Sequence, residues 1–582
     1  MNKGDEPDHS NQSIWRIIAV YLGGAWVSIE AINFFVDKYD LSGDLIDAII
    51  ILLIGGLPIL VIYSLSRGKF NLASIIGYLV ILGITVSVIS YNFNNPQTLN
   101  PTHLRLLKFR KDQKKVAESI RSMVILPFDN YTGKNELEYY VSGMHSALIT
   151  DVGKISALRV ISKTTSKAVS IHGKSISAIA SDLGVDAVVE ASVSCVGEDS
   201  VCIRIQLISA YPEEKQLWTQ VYYEDKTQIQ NLYNRISKKI SEEIEVVLTP
   251  QEELLLADSG PVNKDAYDLY LKGLFYLDQI SEESLETAAK YFKLAIEEEP
   301  NWGPPYAGLA GVGAYQQQMG FVAPPVIQPE IYKNVEAALR LDPNSASSYH
   351  TRAVMAVWTE WNWSKAERAF QRALELNPND ALTQMFYAHF LLILRKPKEA
   401  EKHFEVAIEL DPLRPFILSL GSVVQQALGN YQYACELSKK ALSIEENHYF
   451  SLRTLEGAYF NNKEYQESLD LLFSILQLDN DITLRSQDQV TTLEQYQVEL
   501  ARLVKKLEEI ADSSGYVPPN NMIVFYLRLD DLDMAMKWME KGYQMHDPGQ
   551  PYITVNHIDC YKLQERSDYQ AMLRKMNLPL HD

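Results

Sequence analysis

Cysteine is scarce in this chain, four in 582 residues. That is too few for a disulfide framework, and no CxxC or paired Cys/His spacing marks a structural zinc site. A basic excess is missing too. With 54 Lys+Arg against 74 Asp+Glu the formal net charge is −20, which argues against a nucleic-acid partner, because phosphate recognition needs clustered cations. The usual catalytic signatures HExxH, GxSxG and GxGxxG do not stand out, so no catalytic residue, cofactor or metal is expected and the chain does not read as an enzyme.

What is present points to several folded units. The length exceeds what one hydrophobic core usually organises. A composition of 47% hydrophobic and 22% charged residues is that of an ordinary folded chain,. The charge is unevenly placed. Residues 1–120 hold 11 basic and 10 acidic residues, net +1, which leaves 43 basic and 64 acidic, net −21, for the rest.

Behind an N-terminal tail (1–13), three apolar segments within 14–92, at about 14–36, 45–66 and 70–91, each match the roughly 20 residues that a bilayer core requires. The sequence therefore predicts three transmembrane helices, followed by a basic stem at 93–119. Glu30 and Asp47 lie toward span ends and read as interfacial,. The loop charges Arg67 and Lys69 favour a cytoplasmic second loop and an extracytoplasmic C-terminal part, whereas the stem, from Arg105 to Lys115, points the other way,. The expectation is a multi-pass protein of the bacterial inner membrane with the lipid bilayer as one partner.

Residues 120–248 alternate short β-branched runs with amphipathic helical stretches. SMVIL from Ser122 to Leu126 reads as a strand, and 139–152 as a helix. Ala187–Val196 and the run beginning VCIRIQLI flank a GEDS turn, so they form a hairpin,. Cys195 and Cys202 flank that turn, either bonded across the strands or left as buried thiols. Gly173-Lys174-Ser175 is a turn rather than a phosphate loop, because Ala168 stands where that loop needs glycine,. His145, Ser142 and Asp151 fall on one predicted helix without a nucleophile elbow, so they do not form a triad. The segments VILPFDN, LRVISKTTS, LGVDAVVEASV and QLWTQVYYED, with Gly143, make this region resemble the TolB-like or FlgO-like amino-terminal domain that precedes repeat arrays in bacterial signalling proteins. That resemblance implies a sensing or partner-binding part.

From 262 onward the chain repeats. Ala366, Ala400, Ala434 and Ser468 recur every 34 residues; four residues later come Phe370, Phe404, Ser438 and Leu472, then Ala373, Ala407, Ala441 and Ile475,. Ala288, Phe292, Ala295 and Pro300 repeat the relation earlier. Small residues let paired helices approach, aromatics fill the space between them, and proline closes each unit. The period and pattern resemble tetratricopeptide repeat (TPR) proteins, with about six repeats over 262–480, then degenerate TPR-like helices and a cap over 481–582.

The expected fold class is thus multi-domain: three N-terminal transmembrane helices, a small α/β domain and a C-terminal all-α TPR solenoid. The resemblance implies a groove lined by the first helix of each pair, here Met355, Trp358, Leu382, Met385, His389, Phe416, Phe450 and Arg453, that takes a protein or peptide partner. Function is expected to be that of a membrane-anchored interaction scaffold without catalysis. The alternative is a sensor whose α/β domain binds a small ligand and whose output module is on another chain.

Overall fold

The structure, a computed structural model, describes residue 85 and residues 117–580, apart from 118, 171–173, 212, 259, 280, 319–320, 323, 477–488, 513–516 and 556–558. The expected fold class is corrected at its N-terminal end. Among the described residues no helix is long and apolar enough to cross a membrane. The 20-residue helix Leu493–Asp512 has the length, but it carries Glu494, Arg502, Lys505, Lys506 and Glu508 along its sides, and charges at that density exclude it from hydrocarbon. The expected spans at 14–36, 45–66 and 70–91 lie outside the described residues. The multi-pass inner-membrane localisation, the extracytoplasmic C-terminal part and the bilayer as partner are withdrawn with the membrane helices.

The described residues begin with a six-stranded sheet that has helices on both faces. Its strands are β1 (Ser122–Ile125), β2 (Asp129–Asn130), β3 (Arg159–Val160), β4 (Ala187–Val196), β5 (Ser200–Ser209) and β6 (Lys215–Asp225). The order is β3-β1-β4-β5-β6, with β2 beside the far end of β4. The first three strands of that order run parallel, and β4, β5 and β6 are antiparallel. All four residues of β1 are buried, as an apolar strand covered on both faces requires. Helices α1 (Glu138–Val152) and α4 (Ile229–Glu243) close one face over Met123, Ile125, Ile203 and Ile205. Helices α2 (Lys163–Ser170) and α3 (Ile176–Leu183) close the other over Val124 and Val188. Ser175 caps α3 by accepting a hydrogen bond from the Ala178 amide,. The β4–β5 register sets Cys195 opposite Cys202, and the two form a disulfide with Cα atoms 5.0 Å apart.

After a short helix α5 (Pro250–Leu255) the chain becomes helical hairpins: α6 (Lys264–Leu277) with α7 (Glu282–Glu298), α8 (Gly303–Gln318) with α9 (Pro324–Leu341), and α10 (Ala346–Trp358) with α11 (Trp363–Leu376). Three more follow: α12 (Ala381–Ile393) with α13 (Pro397–Leu410), α14 (Pro415–Ala427) with α15 (Tyr431–Ile444), and α16 (Tyr449–Asn461) with α17 (Tyr465–Ile475). The periodic residues are the ones that pack. Ala366, Ala400, Ala434 and Ser468 are fully buried, as are Phe370, Ala373, Ala407 and Ala441. Successive first helices of the hairpins touch one another, whereas successive second helices scarcely do. The first helices therefore form the inner, concave layer of a TPR-like solenoid.

The tight turns inside the third to sixth hairpins share one backbone device. Trp361, Arg395, Gly429 and Lys463 all have positive φ, between 52° and 82°, and they stand 34 residues apart. Only one of the four is glycine, the residue that adopts this conformation without penalty.

Two further parts pack against the solenoid. The sheet domain docks through α1 on α6, where a Cβ on Gly143 would stand 2.6 Å from Leu271 Cδ2, and through its β3 edge. There the Ser162 amide donates to the Leu410 carbonyl at 2.9 Å. The Asn379 side chain accepts from the Val160 amide and donates to the Gly153 and Leu158 carbonyls, each at 2.9 Å. Beyond the sixth hairpin, α18 (Leu493–Asp512), a helical pair α19 (Pro519–Arg528) and α20 (Leu532–Gln544), two 3-10 turns and α21 (Ser567–Lys575) fold back along the inner layer.

Candidate functional site

The C-terminal return touches the hairpins from the third to the sixth. The Trp363 indole donates to the Met576 carbonyl at 2.8 Å, and the Thr554 hydroxyl donates to the Ile393 carbonyl at 2.7 Å. Arg453 donates to the Asn521 side chain at 2.7 Å, and Arg528 meets Glu456 at 2.6 Å. The sheet domain meets the opposite ends of the same units, at Asn379 and at Asp411, whose carboxylate accepts from the Thr165 hydroxyl at 2.7 Å. Between these two contacts a strip of the concave face remains.

The residues expected in the groove divide accordingly. Met355 and Met385 are buried, the first against α8 and α9, the second in the central core of the solenoid. His389 is buried beneath the return. Its Nε2 lies 2.9 Å from the Leu420 carbonyl, which can only accept, so Nε2 carries the hydrogen and Nδ1 accepts from the Tyr552 hydroxyl at 2.7 Å,. Loss of hydration on burial holds this imidazole down to about 4, against the hydrogen bond to the Leu420 carbonyl, which favours the charged form,. Arg453 is engaged by Asn521.

The other four sites remain half-buried. Leu382, Phe416 and Phe450 occupy one position of three consecutive hairpins, 34 residues apart, and Trp358 stands one hairpin earlier. Phe386, one turn beyond Leu382 and not among the residues expected from the sequence, links them. Ring centroids run Trp358–Phe386 5.3 Å, Phe386–Phe416 6.1 Å and Phe416–Phe450 5.2 Å. Edge-on packing of the first and last pairs and a tilted contact between Phe386 and Phe416 make the rings a continuous row,, with the 55% exposed Tyr449 at its end. Four residues separate Phe386 from Leu382, the helical spacing that could have revealed it. Tyr552 had no such signal, since it arrives from 163 positions beyond His389.

His145 is also buried, its Nε2 held 2.8 Å from the Ile125 carbonyl. Burial brings its imidazole down to about 3, so it sits as a neutral core residue. A separate cleft of about 510 Å³ lies between α7, α8 and α9, lined by Leu309, Val312, Ile327 and Ile331, with Lys290 and Glu330 beside them. Among the described residues no group of three or more His, Cys, Asp or Glu side chains is placed to hold a metal ion.

No protein-family model matches the chain. Putative adenylate cyclase 3 of Rhizobium meliloti (strain 1021) is 29% identical over 189 residues, 32% of this chain and 32% of that protein. Cellulose synthase operon protein C of Pseudomonas fluorescens (strain SBW25) is 32% identical over 114 residues, 20% of this chain and 9% of that protein. The chain thus matches a third or less of these relatives' lengths. Among solved structures, a TPR protein of Parabacteroides merdae aligns at 17% identity and TM-score 0.30, over 47% of this chain and 100% of that one. A thermophilic TPR protein of Thermus thermophilus aligns at 16% and 0.28, over 34% and 99%. The human IFIT1 dimer with PPP-AAAA aligns at 13% and 0.33, over 60% and 78%. At such scores the helical-repeat assignment rests on the hairpins themselves.

Proposed function

We propose that this chain is a protein-interaction scaffold whose partner lays apolar side chains on the strip between the sheet domain and the C-terminal return, with no reaction of its own. One observation carries the reading: Leu382, Phe416 and Phe450, at one position of three consecutive hairpins, stay half-buried on the concave face with Trp358, and the buried Phe386 ring joins them into one apolar row,. Within the eight expected groove positions, Leu382, Trp358, Phe416 and Phe450 make the contact, joined by the exposed Tyr449, with the buried Phe386 ring packed between Trp358 and Phe416. Met355, Met385 and His389 are taken up by the chain's own packing and Arg453 by Asn521, so they do not contact the partner. Aromatic anchors in a partly desolvated strip are the residues that dominate protein–protein affinity. The partial match to a putative adenylate cyclase supports a module shared with signalling chains.

The test is photo-crosslinking from a benzophenone side chain placed at Tyr449 in cells. A discrete adduct is expected, and it disappears when Phe416 and Phe450 are both replaced by alanine, at a cost of about tenfold or more in affinity. Adducts unchanged by the double substitution, or none from Tyr449 while a site on the convex face gives one, overturn the proposal.

A further inference from the structure

The sheet ends differently at its two sides. The β3 edge is taken up by the solenoid, through the Ser162–Leu410 backbone bond and the three hydrogen bonds of Asn379. The β6 edge has no such cover among the described strands. This strand has 11 residues, is hydrogen-bonded to β5 on one side, and among the described residues has no strand on the other. A long edge of this kind is a template for another strand, and proteins usually block it with proline, lysine or an inward-pointing charge. Within Lys215–Asp225 there is no proline, and the stretch from Gln216 to Tyr223 carries no charge. Its surface is apolar in part, with Val221 41% and Tyr223 80% exposed.

The sequence of β6 reads the same in kind from both ends. Turned antiparallel onto itself about Gln220, Thr219 falls opposite Val221, Trp218 opposite Tyr222, Leu217 opposite Tyr223, Gln216 opposite Glu224, and the cation Lys215 opposite the anion Asp225. Trp218 and Tyr222 lie beside Leu207 and Ile203 in the β5 register, on the face covered by α4, and both pack on that core. Pairing them across a two-fold axis extends an existing apolar layer with a cross-strand aromatic pair. The register shift between Leu207 and Ile208 puts a bulge at Leu217, so the regular part of the pairing is Trp218–Tyr222.

We infer that β6 pairs antiparallel with β6 of a second copy of this chain, centred on Gln220, and joins two six-stranded sheets into one of twelve. Such an isologous contact is closed, since each edge consumes the other and none is left to propagate.

The experiment uses the full chain, with light scattering for mass and oxidative cross-linking for register. The wild-type chain is expected to be a dimer. Gln220→Cys gives a covalent dimer on mild oxidation, whereas Tyr223→Cys does not, because its copies stand six residues apart along the pair, roughly 20 Å. Thr219→Lys with Val221→Lys sets like charges opposite each other and yields monomer at the same concentration. Thr219→Glu with Val221→Lys sets opposite charges there and stays dimeric, which separates pairing from damage to the fold. A monomeric wild-type chain, no cross-link from Gln220→Cys, or equal behaviour of the two charge pairs overturns the inference.

Discussion

At the scale of single residues, His389 shows how burial turns an ordinary side chain into a pH-dependent support. Its neutral form satisfies the Leu420 carbonyl and the Tyr552 hydroxyl at once; a second proton on Nδ1 has only that hydroxyl to face. With its pKa near 4 in the fold and about 6.5 unfolded, the unfolded chain binds more protons between those values, so stability falls as pH drops through that window. The contribution is complete above pH 6.5, and its loss amounts to about 3 kcal/mol by pH 4. His145 acts in the same direction. Urea unfolding at a series of pH values is expected to show a shallower acid limb for His389→Gln than for the wild-type chain, and identical limbs refute the assignment. Where the repeat loses its usual residue, the replacement has a partner: Ser438 bonds Thr454 at 2.9 Å and Ser468 donates to Glu456 at 2.8 Å.

At the scale of elements, the positive-φ turn is what makes a hairpin of two helices. Gly429 at one such turn is readable in the sequence, but Trp361, Arg395 and Lys463 hide the same conformation behind side chains that disfavour it by about 1–2 kcal/mol,. Asp530 between α19 and α20 has φ 63° as well, so the return contains a hairpin of the same kind although its spacing has drifted. Lys463→Gly is expected to raise stability by about 0.5–1 kcal/mol, and Gly429→Ala to lower it by about 1 kcal/mol, in thermal or urea unfolding. A loss with Lys463→Gly contradicts the strain. The hairpins were legible beforehand because Ala366, Phe370 and Ala373 report a local pattern, small and large residues on one helix face, that recurs with the chain's own period. The sheet hairpin was legible from its turn, while the bond between Cys195 and Cys202 needed the register of β4 and β5.

At the scale of the molecule, one buried ion pair joins the sixth hairpin to the return. Glu456 and Arg528 are almost fully enclosed at 2.6 Å, with Arg528 also donating to the Tyr496 hydroxyl at 2.7 Å and lying 4.1 Å from the centre of the Phe460 ring. Glu456→Ala leaves that guanidinium buried without its counter-charge and is expected to cost about 3–5 kcal/mol in chemical unfolding, partly recovered when Arg528→Met accompanies it. A loss below about 1 kcal/mol would place the join elsewhere. By itself the sequence determined the stacked hairpins, because a 34-residue pattern of small, aromatic and helix-ending residues acts within and between neighbours. Only the tertiary structure decided which inner-face residues stay open. The return covers His389 and engages Arg453 from far along the chain, and the sheet domain seals its β3 edge on the repeat loops, while among the described residues no strand pairs with the outer edge of β6. Contacts of that range are chosen by shape and by the hydrogen bonds that two distant surfaces satisfy together, and no local spacing encodes them.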